Sequence, residues 1–305
     1  MIKSILIRLN NKPTYISLLI LFIVTLIYFG LSMYITSLAY KTIINSPEDN
    51  PKQYGLEFEE IEFISADSSG LILRGWWIPA KSTNAIIYLH GIDGHRAGHT
   101  EVLASFQKMG YSVLTFDLRG HGVSDPSTVG LGVKEVPDVI GAINFLQQEK
   151  NIKQVALYGV SYGAVLSILA ASEDDRVKGI FIDSPYNKLT DLISSEVPKR
   201  TPIPSFVANL LSKGINLSSI ILQGINLESI KPAESIKNLN YPVLMVHCID
   251  DDRIPIYHSD EISKNSPQDT LYHKFENCKG HSESWKVHKT YYLGFAETYF
   301  QRIFN

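Results

Sequence analysis

The stretch VALYGVSYGAVLSILAA, residues 155–171, carries the strongest fold signal in the sequence. Its first part, Val155–Tyr158, is a short apolar run typical of a buried strand, and Ser161–Ala171 has the pattern of a helix. The residues that join them match G-x-S-x-G: Gly159, Val160, Ser161, Tyr162 and Gly163. Between a strand and a helix this pattern places a serine hydroxyl on a sharp turn, where side chains at the two glycines would collide. The sequence therefore predicts Ser161 as a nucleophile.

Apolar strands and helices alternate on both sides of that stretch. The predicted strands are Glu57–Ser65, Leu71–Ile78, Ala85–Leu89, Ser112–Phe116, Val155–Tyr158, Val177–Ile182, Val243–His247 and Thr270–Phe275. The predicted helices are about Thr100–Met109, Lys134–Gln148, Ser161–Ala171, Ile256–Ser263 and a closing helix from about Ser284. A turn-rich tetrapeptide joins the first two strands into a β-hairpin. The alternation predicts a mostly parallel, doubly wound α/β sheet with helices on both faces.

One stretch, about 184–240, breaks this alternation. It is rich in proline and then becomes amphipathic around Phe206 and Leu211. In an open α/β sheet, an insertion after the carboxyl end of a strand lies over the ligand crevice, so we expect a small cap here. It contains two near-copies of one heptapeptide, GINLSSI at 214–220 and GINLESI at 224–230. Two copies are too few for a solenoid, and the repeat predicts no function.

An uncharged apolar segment, Pro13–Tyr40, precedes the α/β body. A helix of about 20 apolar residues crosses the ~30 Å hydrocarbon core of a bilayer, so this segment is long enough for one transmembrane helix. Lys3, Arg8 and Lys12 come before it without an acid, and a group of acids follows it. This bias predicts a cytoplasmic N-terminus (1–12), a transmembrane helix (13–40), a linker (41–56) and an extracytoplasmic α/β domain (57–305). A cleaved signal peptide and a buried core helix stay open as alternatives.

Composition excludes several other classes of protein. The 305 residues include 28 basic and 31 acidic side chains, which give a net charge of -3 without a basic run, so nucleic acid is not an expected partner. Apolar residues make up 45% of the chain, which disfavours disorder. Two cysteines cannot form a disulfide framework or a four-cysteine zinc site.

A serine nucleophile needs a base that takes its proton, and the base needs an acid that orients it. Two loops supply these groups: residues 247–255 (HCIDDDRIP) follow one predicted strand and residues 276–283 (ENCKGHSE) follow the last one. We place the acid among Asp250, Asp251 and Asp252 and the base at His281, so that with Ser161 they occupy three successive strand ends. An exposed loop residue without a catalytic role is the alternative for His281.

These loops resemble those of the α/β-hydrolases, in particular the serine-aminopeptidase-like branch. That branch often reads H-G-x-x-D-x-x-V-P around its acid and G-x-G-H around its base. Counted from His247 and back from Pro255, the resemblance assigns the acid to Asp251, with its two neighbouring aspartates as alternatives. The resemblance covers about residues 57–303 and implies an α/β-hydrolase fold with a triad of Ser161, Asp251 and His281.

The same resemblance implies an oxyanion hole, two backbone N–H groups that receive the negative charge of the reacting carbonyl oxygen. One is the N–H of Tyr162, directly after the nucleophile, and the other is the N–H of Ile92 in the loop after the third strand. In that loop Gly91 lets the backbone approach, and His90 is expected to be structural. Gly159 and Gly163 support the nucleophile.

The segment Asp117–Ser124 (DLRGHGVS) resembles the D-x-R-G-x-G-x-S loop of the family. We interpret it as structural, with Asp117 and Arg119 holding down a loop whose glycines allow tight turns. A direct substrate contact by Arg119 or His121 is the alternative.

Cysteines and histidines near these loops raise the question of a disulfide or a metal. Cys248 stands where the family prefers glycine, and Cys278 lies three residues before the base. We expect two unconnected thiols, with a disulfide between the acid and base loops as the alternative. His95 and His99 could share a helix face, but no third ligand has a characteristic spacing, so we predict neither a metal site nor a cofactor.

The leading hypothesis is a membrane-anchored serine hydrolase that cleaves small-molecule or lipid esters, a class that includes acyl thioesters, through an acyl-enzyme. A serine peptidase or aminopeptidase acting on short peptides is one alternative, although Asp191, Glu196 and Glu228 are too scattered to hold a substrate amine. A non-catalytic membrane-anchored binding protein on the same fold is the other. The aspartate nucleophile of a dehalogenase or epoxide hydrolase is absent from the G-x-S-x-G turn.

Overall fold

The computed structural model describes residues 12–44 and 49–305, and the chain divides into two compact units. The helical unit consists of the N-terminal segment up to Ala39 together with Thr190–Glu228. The sheet unit consists of Tyr40–Leu189 and Ser229–Asn305. Lys3, Arg8 and most of the predicted cytoplasmic N-terminus lie outside the described residues, so the orientation predicted from them stays a prediction.

The sheet unit contains one eight-stranded sheet with the spatial order β1-β2-β4-β3-β5-β6-β7-β8. The strands are β1 Glu59–Ile64, β2 Ile72–Ile78, β3 Asn84–Leu89, β4 Ser112–Phe116, β5 Gln154–Val160, β6 Val177–Asp183, β7 Leu244–Cys248 and β8 Leu271–Phe275. Strands β1 and β2 form an antiparallel hairpin, β2 pairs antiparallel with β4, and all other neighbours are parallel. The predicted α/β-hydrolase fold and its initial hairpin are confirmed.

Ten α-helices are described, and those of the sheet unit cover both faces of the sheet. The helices are α1 Lys12–Ala39, α2 Thr100–Lys108, α3 Val136–Glu149, α4 Tyr162–Glu173, α5 Ile193–Arg200, α6 Ser205–Gln223, α7 Pro232–Ser235, α8 Tyr257–Asn265, α9 Ser284–Val287 and α10 Lys289–Phe304. The predicted closing helix consists of two helices, because the helical conformation is interrupted at His288, between α9 and α10. Elsewhere in the sheet unit, observed and predicted element ends differ by a few residues.

An aromatic core lies between the sheet and the C-terminal helix. Fully buried rings from β3, β5, β6 and α10 pack against one another and against Phe106 of α2: Tyr88, Tyr158, Phe181, Tyr292 and Phe300. Burial of such a ring removes on the order of 150–250 Å² from water, so this cluster is a main source of hydrophobic stability. The core fixes the strands whose carboxyl ends carry the polar residues described below.

The helical unit is built on contacts between α1 and α6. Both helices are long and apolar enough to cross a membrane, over Thr14–Ala39 and Ser205–Gln223. Helix α6 begins after Pro204 and ends where Gly224 adopts a left-handed conformation with φ +71°. The two copies of the near-repeat therefore differ in structure, because GINLSSI is helical and GINLESI starts at the helix end. Residues 190–228 of the predicted cap belong to this unit, whereas its two ends belong to the sheet unit, and a position over the crevice stays a prediction.

Candidate active site

Ser161 lies on a strained turn between β5 and α4. Its backbone has φ 56° and ψ -114°, a positive-φ conformation that non-glycine residues rarely adopt, and its N–H donates to the carbonyl oxygen of Asp183 at 2.7 Å. A Cβ on Gly163 would collide with the Leu89 carbonyl oxygen, and one on Gly159 would collide with the backbone of Gly163. Backbone packing therefore requires both glycines of the pattern, and the turn presents the serine side chain at the carboxyl end of the sheet.

The side chains of Ser161, His281 and Asp251 form one hydrogen-bonded chain. Nδ1 of His281 lies 2.7 Å from a carboxylate oxygen of Asp251, and Nε2 lies 2.8 Å from the Ser161 hydroxyl. Because a carboxylate can only accept, Nδ1 carries the proton and Nε2 is free to accept the serine proton. Strand β6 lies between the strands that carry Ser161 and Asp251, so the expectation of three successive strand ends is wrong: the three residues follow β5, β7 and β8.

Asp251 is buried in surroundings that favour its charged form. Its second carboxylate oxygen accepts the N–H groups of Arg253 at 2.9 Å and Ile254 at 2.8 Å, and His247 lies 3.2 Å from the oxygen that contacts His281. Burial alone would raise the pKa of this carboxyl, but the hydrogen bonds from the two histidines and the Ile254 N–H hold the pKa well below its usual range. The group is therefore ionised whenever an imidazolium forms beside it.

The two alternative acids lie elsewhere. Asp250 is exposed and accepts the N–H of Cys278 at 3.3 Å, and Asp252 is exposed. Of the three aspartates, Asp251 is the one whose carboxylate contacts His281. The motif count from His247 and Pro255 selected the same residue.

His247 has a role in the site that sequence reasoning did not assign. It is fully buried, its Nδ1 accepts from the Ser259 hydroxyl at 2.6 Å, and its Nε2 lies 2.9 Å from the carbonyl oxygen of Ile254. These contacts fix the imidazole against the loop that carries Asp251. Its position at the end of β7, directly before the acid loop, is the signal that could have found it.

The loop after β3 packs directly against the nucleophile. A Cβ built on Gly91 would lie 3.7 Å from the Ser161 Cβ, which places the loop beside the reacting hydroxyl. His90 accepts the N–H of Leu118 through Nε2 at 3.0 Å and donates from Nδ1 to the Gly91 carbonyl at 2.7 Å. Burial lowers the pKa of His90 well below its ordinary value, so its imidazole is neutral. These contacts hold the loop that carries Ile92.

His121 also holds this loop. Its Nε2 contacts the carbonyl oxygen of Ile92, and its Nδ1 lies 3.0 Å from the carbonyl oxygen of Arg119. Arg119 makes a double hydrogen bond to buried Asp138 at 2.6 and 2.7 Å and a further one to Asp67 at 2.7 Å. The geometry gives both residues structural contacts, in line with the predicted structural loop.

The other predicted oxyanion donor, Tyr162, begins α4. Its buried hydroxyl accepts the N–H of Gly132 at 2.7 Å and hydrogen-bonds to Glu135. Glu135 is fully buried and accepts the N–H groups of Gly130 at 2.5 Å and Gly132 at 2.9 Å. This carboxyl anchors the helix start behind the nucleophile, and no sequence pattern had singled it out.

A second buried aspartate lies next to the triad and was missed from the sequence. Asp183, the last residue of β6, accepts from the hydroxyls of Ser184 at 2.8 Å and Tyr292 at 3.0 Å. Burial raises its pKa to about 6, against the effect of these hydrogen bonds. Its position at a strand end resembles that of Asp251, but it lies in no motif, so the only available signal was an acid that closes a predicted apolar strand.

Cys248 and Cys278 form a disulfide between the loops that carry the acid and the base. Their Cα atoms are 6.1 Å apart, within the usual range for a disulfide, and both residues are buried. The expectation of two unconnected thiols is therefore wrong. Strand pairing brings them together, because β7 and β8 are neighbours and each cysteine lies near the carboxyl end of its strand.

The residues considered for a metal do not assemble as a histidine site. Nδ1 of His99 contacts the Tyr158 hydroxyl at 2.6 Å inside the aromatic core, whereas Nδ1 of His95 accepts the N–H of Ala97 at 3.2 Å. Cys248, Asp250 and Cys278 lie close enough to share an ion, but the disulfide uses both sulfur atoms.

Known proteins of the α/β-hydrolase fold resemble this chain. The sequence model described as "alpha/beta hydrolase fold" matches residues 84–211. The uncharacterized protein YqkD of Bacillus subtilis is 24% identical over 242 residues, which cover 76% of this chain and 77% of that protein. The thiohydrolase aneE of Aspergillus aculeatus is 33% identical over 139 residues, which cover 44% of this chain and 43% of that protein.

A solved structure shows the same fold. An esterase of Pyrococcus furiosus superimposes with a TM-score of 0.72 at 19% identity, covering 87% of this chain and all of that one. The relatives together support a hydrolase of this fold. The matched sequence model, the sheet order and the turn at Ser161 together show that the chain has the α/β-hydrolase fold.

Proposed function

We propose that the protein is a membrane-anchored serine hydrolase that cleaves carboxylic esters or acyl thioesters. The observation that carries the proposal is the continuous hydrogen-bond chain from Ser161 through His281 to Asp251, with distances of 2.8 and 2.7 Å. A nucleophile, a base and an orienting acid within hydrogen-bond reach are the geometric signature of covalent catalysis.

In the proposed reaction, the Ser161 oxygen attacks the carbonyl carbon of the substrate while Nε2 of His281 accepts the hydroxyl proton. The ionised carboxylate of Asp251 stabilises the imidazolium that forms. The N–H groups of Ile92 and Tyr162 receive the negative charge of the carbonyl oxygen, and loss of one such donor typically costs about 3–4 kcal/mol of the barrier. His281 then protonates the leaving alcohol or thiol. Water, activated by the same imidazole, releases the acyl group and restores the serine.

The choice of an ester or thioester rests on two supports. Relatives with esterase and thiohydrolase in their names share the fold or part of the sequence. In addition, the apolar helix α1 would hold the enzyme at a membrane, where acyl substrates concentrate.

An extracytoplasmic position of the sheet unit is part of this proposal. The basic residues before α1 favour a cytoplasmic N-terminus. The disulfide between Cys248 and Cys278 supports an oxidising compartment for the sheet unit.

The test is covalent labelling of the purified protein with a fluorophosphonate probe, which reacts with activated serines. We expect wild type to be labelled and Ser161→Ala and His281→Ala to be unlabelled. Ser172→Ala is the matched control, because the Ser172 hydroxyl bonds to the Leu169 carbonyl away from the triad, and it should be labelled like wild type. A folded wild type that reacts with neither the probe nor any ester would favour the non-catalytic binding protein instead.

A substrate panel then defines the class. We expect turnover of p-nitrophenyl acyl esters and acyl thioesters by wild type, and loss of that turnover in Ser161→Ala. Faster cleavage of aminoacyl amides than of either ester class would favour the peptidase alternative.

A further inference from the structure

Helix α6 leaves a row of large apolar side chains uncovered. Phe206, Leu210, Leu217 and Ile221 are 68%, 71%, 42% and 66% exposed. Their spacings of four, seven and four residues place them on one side of the helix, opposite the buried face that includes Ala208, Leu211 and Ile215. Large apolar rows of this kind mark an interaction surface. We call these four residues the apolar row.

The buried face of α6 packs against the C-terminal part of α1. A Cβ on Gly214 would lie 2.7 Å from the Tyr28 ring and would collide with the Ser32 hydroxyl, so the helices approach closely at this glycine. The Tyr28 hydroxyl accepts the N–H of Gly214 at 3.0 Å, and the Thr36 hydroxyl lies 3.3 Å from the carbonyl oxygen of Ile215. Small residues and hydroxyl contacts are typical of helix pairs inside membranes.

The length of α1 gives the depth of this contact in a bilayer. Residues 14–27 are exposed on all sides and rise about 21 Å along the helix, at ~1.5 Å per residue. A hydrocarbon core is about 30 Å thick, so the remaining ~9 Å must come from the next six or so residues. Those residues begin at Tyr28, which contacts Gly214. An α1 that spans the bilayer therefore brings the middle of α6 to the edge of the hydrocarbon.

We propose that α6 is a second membrane-embedded helix, whose apolar row contacts lipid acyl chains in the leaflet at the C-terminal end of α1. This inference rests on the proposed anchoring of α1. The exposed Lys213 lies beside the apolar row. This position favours a helix that lies in the plane of the membrane interface, where the lysine reaches the lipid phosphate groups, over a helix that spans the bilayer. Asn209 is exposed on the flank of the helix next to Lys213, where this orientation turns it toward the polar head groups.

The experiment measures the surroundings of single positions in the full chain, reconstituted in phosphatidylcholine–phosphatidylglycerol nanodiscs. Both native cysteines are buried in the disulfide, so a nitroxide reagent under non-reducing conditions labels only a cysteine that is introduced. Leu210→Cys and Ile221→Cys report on the apolar row, and Asn209→Cys is the matched control on the polar flank. Leu21→Cys on α1 and Val123→Cys on the sheet unit are the references for lipid and for water.

Electron paramagnetic resonance gives the accessibility of each label to oxygen, which concentrates in lipid, and to a nickel chelate, which stays in water. We expect Leu210→Cys and Ile221→Cys to match Leu21→Cys, and Asn209→Cys to be several-fold more accessible to nickel. If the label at Leu21→Cys has the accessibility expected in lipid and the labels on the apolar row have that expected in water, α1 is anchored in the membrane but α6 is not, and the inference is overturned. Protection of the apolar row from both reagents would show a protein partner or a second copy there and would also overturn it. A water-like Leu21→Cys would overturn the anchor itself.

Discussion

Asp251 and Asp183 are both buried at the carboxyl ends of neighbouring strands, yet their surroundings favour opposite charge states. The Asp251 carboxylate accepts hydrogen bonds from two imidazoles and two backbone N–H groups, and these bonds hold its pKa well below the usual range. Asp183 accepts hydrogen bonds from two neutral hydroxyls, and burial raises its pKa to about 6. The number and kind of donors, rather than the place in the sheet, decide which carboxylate can serve as the acid of a triad.

The two groups also affect stability with opposite signs. The contribution of Asp251 is present at neutral pH and is lost as pH falls, because its folded pKa is lowered. The contribution of Asp183 is present at low pH and is lost as pH rises from about 4 through 6, because its folded pKa is raised. Four variants test this comparison.

The largest expected effect is on the triad. Asp251→Asn keeps the shape of the side chain but removes the charge that stabilises the imidazolium, and its amide can favour the wrong tautomer of His281. We expect kcat/KM for a p-nitrophenyl ester to fall about 10³–10⁴-fold. Asp252→Asn, at an exposed neighbouring position, is the control and should retain wild-type kinetics. If Asp252→Asn lost activity and Asp251→Asn did not, the proposed triad would be wrong.

The disulfide is a second difference between the surroundings of the two carboxylates. It ties the loop that carries Asp251 to the loop that carries His281, whereas Asp183 lies on neither loop. The disulfide joins residues 30 apart, so its removal in a Cys248→Ala, Cys278→Ala double variant should lower the free energy of unfolding by about 3–4 kcal/mol. Urea unfolding of wild type and variant measures this difference. Titration of free thiols in denaturant is the check: two reactive thiols in unreduced wild type would contradict the disulfide.

Asp183→Asn removes a group that is costly to ionise. Raising its pKa from 3.8 to about 6 costs roughly 2–3 kcal/mol of stability above pH 6, at about 1.4 kcal/mol per pKa unit. The unfolding free energy of Asp183→Asn minus that of wild type should therefore rise by this amount between pH 4 and 7.5. Chemical denaturation at several pH values measures it. A difference that stays constant with pH would show that Asp183 does not titrate in this range.

The smallest expected effect comes from the donor of Asp183. Tyr292→Phe removes the hydroxyl that bonds to Asp183 and to the Tyr158 hydroxyl at 2.8 Å, so the fold should lose about 1–2 kcal/mol. Tyr291→Phe is the matched control, since the Tyr291 ring is mostly exposed, and it should leave the unfolding free energy unchanged. Equal effects of both substitutions would argue against the buried hydrogen-bond chain.

The main features of the candidate site could be predicted because they depend on local chain geometry. The turn at Ser161 needs glycines two residues before and after it. The choice of Asp251 from three adjacent aspartates came from the resemblance to the family's motif, counted from His247 and Pro255, and the structure places this carboxylate against His281. Asp183 and Glu135 could not be found in this way, because their partners come from distant segments. Asp183 accepts from Tyr292, which is 109 residues away along the chain.

The near-repeat shows the same limit in the helical unit. The copies GINLSSI and GINLESI differ at one position, yet Gly214 lies inside α6 against Tyr28, whereas Gly224 ends the helix in a left-handed conformation. Asn216 of the first copy accepts the N–H of Leu227 in the second at 2.7 Å. Contacts with α1 and between the copies, rather than their own sequence, select the two conformations.

The sequence by itself determined the order of strands and helices, the nucleophile turn and the apolar length of α1, because periodicity, glycine geometry and hydropathy act between near neighbours. Only the tertiary structure decided that Cys248 meets Cys278, that Asp183 is buried in a neutral environment and that α6 packs on α1. These outcomes depend on which distant segments share a strand edge, a core or a helix face. Burial and pairing then set the charge and bonding of each group.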